Sequence, residues 1–446
     1  MKALLLLSNM ALFMITTMLL FFDVSNVFVS AYSVVIIISI LVTFKVAHGN
    51  ILGFGFVFIA YNILMHFGFG IIHFLIDDTL AKELYSSWVL TFLQSSNYSL
   101  AILISALAFE AYTIAWLVGL NKKKTIGSKD KEVDECIETQ ERGACYTFGM
   151  LMLAGVFFYF VILWLTEKIS FDMSYMDYRD GVMQGSALYS WMLVLYPTGL
   201  VYVFASSNKN RRMWGVILFF ATAIILLATG NKGEVFYVVL ATLGIVGYQN
   251  KKIGFRLASL LCIIMFIVIP VVTSTRSTGV GEGFSLEFAS LTDPFLEIGM
   301  QIRCVVFSID HVASGTYSFM HGYSYLRPVC SVLGYLLFPL RYLPEIPIDL
   351  TSSKSYFYGY GFTQVAEGYL NFGITGAVLV FAILGYLLGR LEFKRMGTRK
   401  LCLVGSVLVI LINASRNVFI FVPGQITLML ILYYMVKFIS RKKTRR

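Results

Sequence analysis

The chain has 446 residues, of which 58% are hydrophobic and 13% are charged, with a formal net charge of +10. So little polar surface cannot cover a soluble core, which excludes an ordinary water-soluble globular domain. Apolar runs near the spanning length of about 20 residues recur along the chain, and in hydrocarbon only a helix satisfies every backbone group within one segment. The composition therefore predicts an all-α polytopic integral membrane protein.

We predict about twelve transmembrane helices, with a margin of two. Region 1–272 carries nine of them, and region 373–446 carries three and a basic tail. In chain order the spans lie near Ala3–Phe22, Val27–Phe44, Ile51–Phe74, Leu93–Val118, Thr147–Leu165, Ser190–Ala205, Trp214–Thr229, Val235–Tyr248, Ala258–Val272, Ile374–Leu388, Leu401–Ile412 and Val418–Ile439.

Lysine and arginine concentrate in alternate loops and in the C-terminal tail, and short loops rich in these residues stay in the cytoplasm. This pattern predicts that both termini are cytoplasmic. It also places region 273–372, between spans nine and ten, outside the cytoplasm as one large loop with short helices. The positive net charge then follows from topology and calls for no nucleic-acid partner. Region 121–146, which mixes Lys and Glu without apolar periodicity, is interpreted as a cytoplasmic linker.

Ten of the 35 basic residues fall on the outer side in this topology, and six of the ten are arginine. The forked guanidinium suits bidentate contacts with phosphate or carboxylate, so the set indicates an anionic ligand. The alternative is that these side chains anchor the protein against lipid headgroups. They are Lys82, Lys168, Arg179, Lys232, Arg276, Arg303, Arg327, Arg341, Lys354 and Arg416.

Residues 359–373, directly before span ten, read Gly-Tyr-Gly-Phe-Thr-Gln-Val-Ala-Glu-Gly-Tyr-Leu-Asn-Phe-Gly. If Thr363 caps a helix, then Thr363, Glu367 and Asn371 follow each other at four-residue steps on one polar face. The pattern predicts a carboxylate directed at the outer membrane surface. A capping network that closes the top of a span would give the same pattern.

This run resembles the pattern Gly-x-Gly-Phe-Ser-x-x-Ala-Glu-x-Tyr-x-Asn-Phe-Gly of the bacterial oligosaccharide repeat-unit polymerases, the Wzy family of O-antigen and capsule assembly. Thr363 stands where the family has serine, which keeps the hydroxyl. Lys232 stands in a weaker match where the family often has arginine, and Arg276 also resembles a family arginine. The motif match covers some twenty residues.

The resemblance implies a metal-independent, cofactor-free glycosyltransferase of the membrane-embedded C class in the bacterial plasma membrane. It would join undecaprenyl-diphosphate-linked oligosaccharides on the outer face, with a chain-length regulator and a flippase as further partners. In this mechanism Arg276, Arg303 and Arg327 hold the diphosphate, while Glu367 accepts a proton from the attacking sugar hydroxyl. His311 and His321 are rival bases. The other predicted substrate-binding residues are Arg179, Lys232, Arg341, Thr363 and Asn371.

Two alternatives stay open. A flippase or transporter for lipid-linked oligosaccharides would act on the same substrate, and an O-antigen ligase would displace the same lipid diphosphate. The transporter alternative depends mainly on His66 and Glu110, two ionisable residues predicted near mid-membrane, where a charge is costly without a partner. We hypothesise that these two side chains pair with each other.

Overall fold

The computed structural model describes residues 1–48, 52–76, 87–120, 131–170, 173, 175–183, 186–206, 209–229, 231, 233–249, 293–334, 346, 361–392, 394 and 396–444. Every regular element in these ranges is a helix, as the composition predicts. The main helices are α1 Lys2–Leu19, α2 Asn26–His48, α3 Phe54–Ile71, α4 Tyr98–Gly119, α5 Lys131–Leu165, α6 Ala187–Ser206, α7 Lys209–Ala228, α8 Gly233–Tyr248, α9 Asp293–Gly299, α10 Ile302–Ala313, α11 Tyr323–Gly334, α12 Gln364–Glu392, α13 Thr398–Ala414 and α14 Val422–Thr444.

Within the described ranges, nine helical segments are long and apolar enough to cross a membrane, and α8 is a shorter apolar helix. This confirms a polytopic helical membrane protein. Eleven of the twelve predicted spans coincide with a described helix, since lipid leaves the backbone no other way to satisfy its polar groups. The ninth predicted span, Ala258–Val272, lies outside the described residues. The predicted count of twelve and the orientation of the chain remain predictions.

The chain divides into two compact units. The first comprises Met1–Lys123, Phe295–Lys394 and Leu411–Gly424, and the second comprises Lys124–Pro294, Arg395–Ile410 and Gln425–Arg446.

The first unit is built on close packing between α4 and α12. Added Cβ atoms at Gly385 and Gly389 would lie 2.2 Å from the Tyr112 carbonyl oxygen and 2.4 Å from the Trp116 carbonyl oxygen. Small residues at such positions let two helix backbones approach closely. In lipid there is no hydrophobic effect to hold helices together, so this van der Waals packing stabilises the pair instead. At the C-terminal end of α12, the buried Glu392 carboxylate accepts the Gly55 N–H at 3.1 Å, in the first turn of α3.

Three short helices, α9 to α11, accompany this core. Gly299 at the end of α9 lies so close to α3 that an added Cβ would be 2.0 Å from the Phe69 nitrogen. The Asp310 carboxylate on α10 accepts hydrogen bonds from Ser95 and Asn97, each at 2.8 Å, just before α4 begins. α9 begins at Asp293, and α10 follows it after a break at residues 300–301.

A sharp break divides α12 into residues 364–371 and 374–392. Phe372 has φ −143° and ψ 24°, and Gly373 has φ 64° and ψ −150°. The two parts fold onto each other, because an added Cβ at Gly376 would lie 2.1 Å from the Gly368 carbonyl oxygen. Residues 364–371 of the motif therefore form their own short helical segment, set at an angle to the long apolar part of α12.

The second unit centres on α5, α6 and α7. Gly149 on α5 and Gly199 on α6 lie in close contact, and the Tyr196 hydroxyl donates to the Phe219 carbonyl oxygen at 2.8 Å while the two rings stack. A buried cluster joins a short helical turn, Tyr175–Tyr178, to the start of α6. In it the Tyr178 and Tyr189 hydroxyls are 2.6 Å apart.

The predicted linker 121–146 differs from the structure in its second half, where residues 131–146 form the first turns of α5. Glu138 and Arg142 form an ion pair at a four-residue step, which supports helix on a polar surface. Glu138 also accepts the Thr398 N–H at 3.1 Å and so caps α13. Glu141 pairs with Arg399 at 3.2 Å. Two of the charged residues that suggested a solvated linker, Glu138 and Glu141, are thus partners of α13.

Candidate functional site

The site is built around the start of α12 in the first unit. The Thr363 hydroxyl accepts the N–H of Ala366 at 3.2 Å, so it caps the helix as its spacing predicts. Just before it, the Phe362 N–H donates to the Arg416 carbonyl oxygen at 2.8 Å. Gly361 lies against the same residue, since an added Cβ would be 2.3 Å from that oxygen. The N-terminus of α12 is therefore fixed against the segment that follows α13.

Glu367 lies one turn further along and is 1% exposed. One carboxylate oxygen accepts the Ser324 hydroxyl at 2.7 Å, and the other accepts the Phe419 N–H at 2.9 Å. The carboxylate thereby joins α12 to α11 and to the short 3-10 helix Phe419–Phe421. The structure differs here from the predicted orientation, because the carboxylate points into the protein and both oxygens accept hydrogen bonds.

Asn371 completes a buried network with Glu367 and Ser324. Its side-chain amide donates to the Ser324 hydroxyl at 2.7 Å and to the Glu367 carbonyl oxygen at 2.8 Å. All three side chains are at most 1% exposed. We call Glu367, Ser324 and Asn371 the Asn371 network. Buried polar groups that satisfy each other in this way fix one arrangement of their helices.

Tyr325 lines the same region. Its ring meets the Phe419 ring edge-on with centroids 5.2 Å apart. Burial raises the pKa of the Tyr325 hydroxyl well above its ordinary value, and the nearby Glu367 charge raises it further. The hydroxyl is buried without a hydrogen-bond partner in the described structure. It is therefore a neutral phenol beside the carboxylate.

Two arginines lie near Cys304 on α10. Arg303 is its neighbour in the chain, and the Arg416 side chain lies against Gly361, where its Cγ would be 3.2 Å from an added Cβ. Burial raises the pKa of the Cys304 thiol to about 11, and the charges of Arg303 and Arg416 both act to lower it. The thiol donates to the Gly361 carbonyl oxygen at 3.4 Å, directly before the α12 cap. Arg303 is buried, whereas Arg416 is half-buried. Arg303 and Arg416 thus both lie close to the N-terminal end of α12, where the helix dipole favours an anion.

The other predicted residues occupy several places. Arg327 lies on α11, one turn after Ser324, and hydrogen-bonds the Ser331 hydroxyl. His311 lies on α10, where its Nδ1 is 2.7 Å from the Phe307 carbonyl oxygen and its ring stacks on Tyr317. His321 is exposed and lies beside the Asn371 network, which its backbone contacts.

Four predicted residues give no side-chain geometry. Lys232, Arg276 and Arg341 lie outside the described residues, as does the side chain of Arg179. The chain neighbours of Arg179 and Lys232 in the second unit share hydrogen bonds. Asn231, which precedes Lys232, donates its side-chain amide to the Tyr189 hydroxyl at 3.1 Å, and Tyr189 also contacts Tyr178, which precedes Arg179.

Ser324 and Arg416 belong to the site, although neither was among the individual residues predicted to bind substrate or act in catalysis. Arg416 carried one signal, since it is an outward arginine that interrupts the last predicted spans. Ser324 carried none, because a serine 43 residues before Glu367 is one of many in the loop.

The proposed pair of His66 and Glu110 is wrong for this structure. Glu110 accepts the Thr16 hydroxyl at 3.0 Å, and His66 Nδ1 is 2.9 Å from the Asn62 carbonyl oxygen. Each side chain is buried and has a partner of its own. The transporter alternative therefore loses the relay on which it mainly depended. Among the described residues, no group of three or more His, Cys, Asp or Glu side chains is arranged to hold a metal ion.

A bundle of apolar helices with a capped, cation-flanked helix start defines a multi-pass membrane protein with a candidate anion site. A family model described as O-antigen polysaccharide polymerase Wzy matches residues 4–443. The chain therefore belongs to the Wzy family of O-antigen polymerases, as its motif predicts. It is also 25% identical over 381 residues to Protein CapE of Staphylococcus aureus, covering 84% of this chain and 82% of that protein. No solved structure matches the chain.

Proposed function

We propose that this Wzy-family protein polymerises undecaprenyl-diphosphate-linked oligosaccharide repeat units into O-antigen or capsular polysaccharide. The reaction would take place on the outer face of the bacterial plasma membrane without a metal ion. The observation that supports the proposal is that Arg303 and Arg416 both lie close to the N-terminus of α12, where Gly361 contacts both Cys304 and Arg416. Two guanidinium groups and a helix N-terminus form the combination that binds a diphosphate.

In this mechanism the diphosphate of the growing chain is the leaving group. Arg303 and Arg416 hold it, and Arg276, Arg327 and Arg341 are further candidates for the same clamp. Each charged hydrogen bond contributes about 1.5–3 kcal/mol, and it counts toward catalysis when it strengthens as negative charge develops on the leaving oxygen. Arg179 and Lys232 remain proposed contacts for substrate phosphate or sugar.

Glu367, Asn371 and Thr363 have a positioning role in this proposal. Both oxygens of the Glu367 carboxylate accept hydrogen bonds from the protein, so its contribution is to hold α11, α12 and residues 419–421 together. Glu367→Gln keeps the volume but leaves at most one acceptor for two donors. We expect it to shorten the polysaccharide and to lower the thermal stability of the purified protein.

The test is to delete the gene and complement it with variants, then to separate surface polysaccharide on a gel. Deletion should leave decoration with single repeat units. Arg416→Lys and Arg303→Lys keep the charge but lose the fork, so chain growth should slow on the order of 10- to 100-fold. Arg142→Lys is the matched control, because Arg142 is a 60% exposed side chain of the second unit.

Other outcomes identify the alternatives. Lipid-linked units that accumulate inside the deletion strain would indicate a flippase. An undecorated acceptor with long lipid-linked polymer still present would indicate a ligase. Full chain length in Arg303→Lys and Arg416→Lys, at normal protein levels, would remove these arginines from the mechanism.

A further inference from the structure

His321 has an unusual backbone conformation. Its φ is 48°, in the left-handed region, and among the described non-glycine residues only Glu167 shares a positive φ. A side chain there costs free energy, and such residues persist only where the surroundings hold them. Local strain of this kind often marks a functional position.

Three consecutive backbone N–H groups tie the His321 segment to α12. Met320 donates to the Leu370 carbonyl oxygen at 2.9 Å and His321 donates to the Asn371 carbonyl oxygen at 3.0 Å. Gly322 donates to the side-chain oxygen of Asn371, also at 2.9 Å. These carbonyls lie directly before the break in α12 at Phe372 and Gly373, where helix hydrogen bonding ends. The break therefore frees the acceptors that hold His321.

The side chain of Asn371 connects the His321 segment to buried polar groups. Asn371 uses its oxygen for Gly322 and its amide for Ser324 and Glu367, so the segment 320–322 rests on the Asn371 network. The members of that network are buried, whereas His321 is exposed. A buried, mutually satisfied set of polar groups thus presents one exposed imidazole.

His311 and Glu367 are placed differently. The His311 ring nitrogen meets a backbone carbonyl and the ring stacks on Tyr317, which together fix it as part of α10. Both Glu367 oxygens accept hydrogen bonds from the protein. Of the three groups that the sequence offers as a base, His321 is the exposed one.

We propose that His321 is the general base of the glycosyl transfer and that the Asn371 network is the positioning device that holds it. The proposal rests on the proposed polymerase function. The hydroxyl oxygen of the incoming unit attacks the anomeric carbon of the growing chain and forms the new glycosidic C–O bond. The anomeric carbon–oxygen bond to the diphosphate breaks, and its electron pair leaves with the lipid diphosphate. The hydroxyl proton passes to the His321 imidazole and then to water.

The backbone conformation provides a sharp test. Glycine adopts a positive φ without strain, so His321→Gly removes the imidazole while relieving the backbone. A purely structural His321 would make this variant at least as good as the original protein. A catalytic His321 would make chain growth slower by about 10²- to 10⁴-fold. His321→Asn is the second variant, because asparagine tolerates the same conformation but is no base at neutral pH.

The assay uses the full-length protein in liposomes with lipid-linked repeat units extracted from the deletion strain. His321→Gly and His321→Asn should both lose chain growth, and added imidazole should restore part of it to His321→Gly. Ser318→Gly, in the same loop and also exposed, is the control for added flexibility and should grow chains normally. Asn371→Ala should lose activity that imidazole does not restore, because the positioning is lost.

The outcomes separate the two proposals. If the original protein makes no polymer from these units, the polymerase function fails. If it makes polymer and both His321 variants match it, the base proposal alone is overturned. Loss of chain growth in His311→Gln with normal growth in His321→Gly would overturn it as well. If His321→Gly does not reach normal amounts in the membrane, chain growth by His321→Asn is compared with that of the original protein instead. Equal growth would then overturn the proposal that His321 is the general base.

Discussion

Thr363 shows how much a single hydroxyl can fix at this site. It accepts the Ala366 N–H at the start of α12 and is completely buried, so water cannot replace it. Thr363→Val keeps the shape but removes the acceptor, and we expect a loss of about 1 kcal/mol in the free energy of unfolding. Thr363→Ser should keep most of the stability. Thermal unfolding of the detergent-purified proteins measures both, and a Val variant as stable as the original would show that the cap is dispensable.

The sequence predicts part of this site at the level of residues. Four-residue spacing places Thr363, Glu367 and Asn371 on one helical face, and the structure confirms both the cap and the shared face. The same spacing cannot tell which way the face points. Ser324 and the Phe419 N–H meet Glu367 from positions 43 and 52 residues away, and contacts of that separation depend on tertiary packing alone.

Among the helices, α12 is predicted as a span from the sequence, but its break at Phe372 and Gly373 is not. The apolar run from Ile374 identifies the long part as a span, and the motif before it reads as a helix start. Gly373 has a backbone conformation that only glycine adopts readily, yet glycine is frequent throughout this chain. Composition therefore cannot show that this glycine, rather than another, turns the helix and frees the carbonyls of residues 370 and 371.

The packing of α4 on α12 makes a matched prediction about glycine. Gly385→Ala would push a methyl group to 2.2 Å from the Tyr112 carbonyl oxygen, whereas an added Cβ at Gly155 on α5 meets nothing within 4 Å. We expect Gly385→Ala to lose about 1–3 kcal/mol of stability through overpacking, and Gly155→Ala to be neutral or slightly stabilising. Thermal unfolding of the two variants side by side measures this. Equal stability would mean that α4 and α12 separate without cost.

At the scale of the whole molecule, hydropathy identifies the spans because the bilayer restricts the backbone to helices. Charge is a weaker guide to what lies between the spans. The mixed Lys and Glu of residues 131–146 look solvated in sequence, but Glu138 caps α13 and Glu141 pairs with Arg399. The two residues of each pair are more than 250 positions apart in the sequence, so only folding brings them into contact.

The orientation of the chain can be tested with cysteine labelling in intact cells. Ser314 is exposed in the predicted outer loop, and Arg142 is exposed in a predicted cytoplasmic region. A membrane-impermeant maleimide should label Ser314→Cys in intact cells but label Arg142→Cys only after the membrane is opened. The unsubstituted protein gives the background to subtract, because Cys330 in the predicted outer loop is half-buried whereas Cys145, Cys304 and Cys402 are buried. The reverse labelling would place α10, α11 and the start of α12 in the cytoplasm. A lipid-linked acceptor on the outer face could not reach His321 there, and the proposed reaction would have to be abandoned.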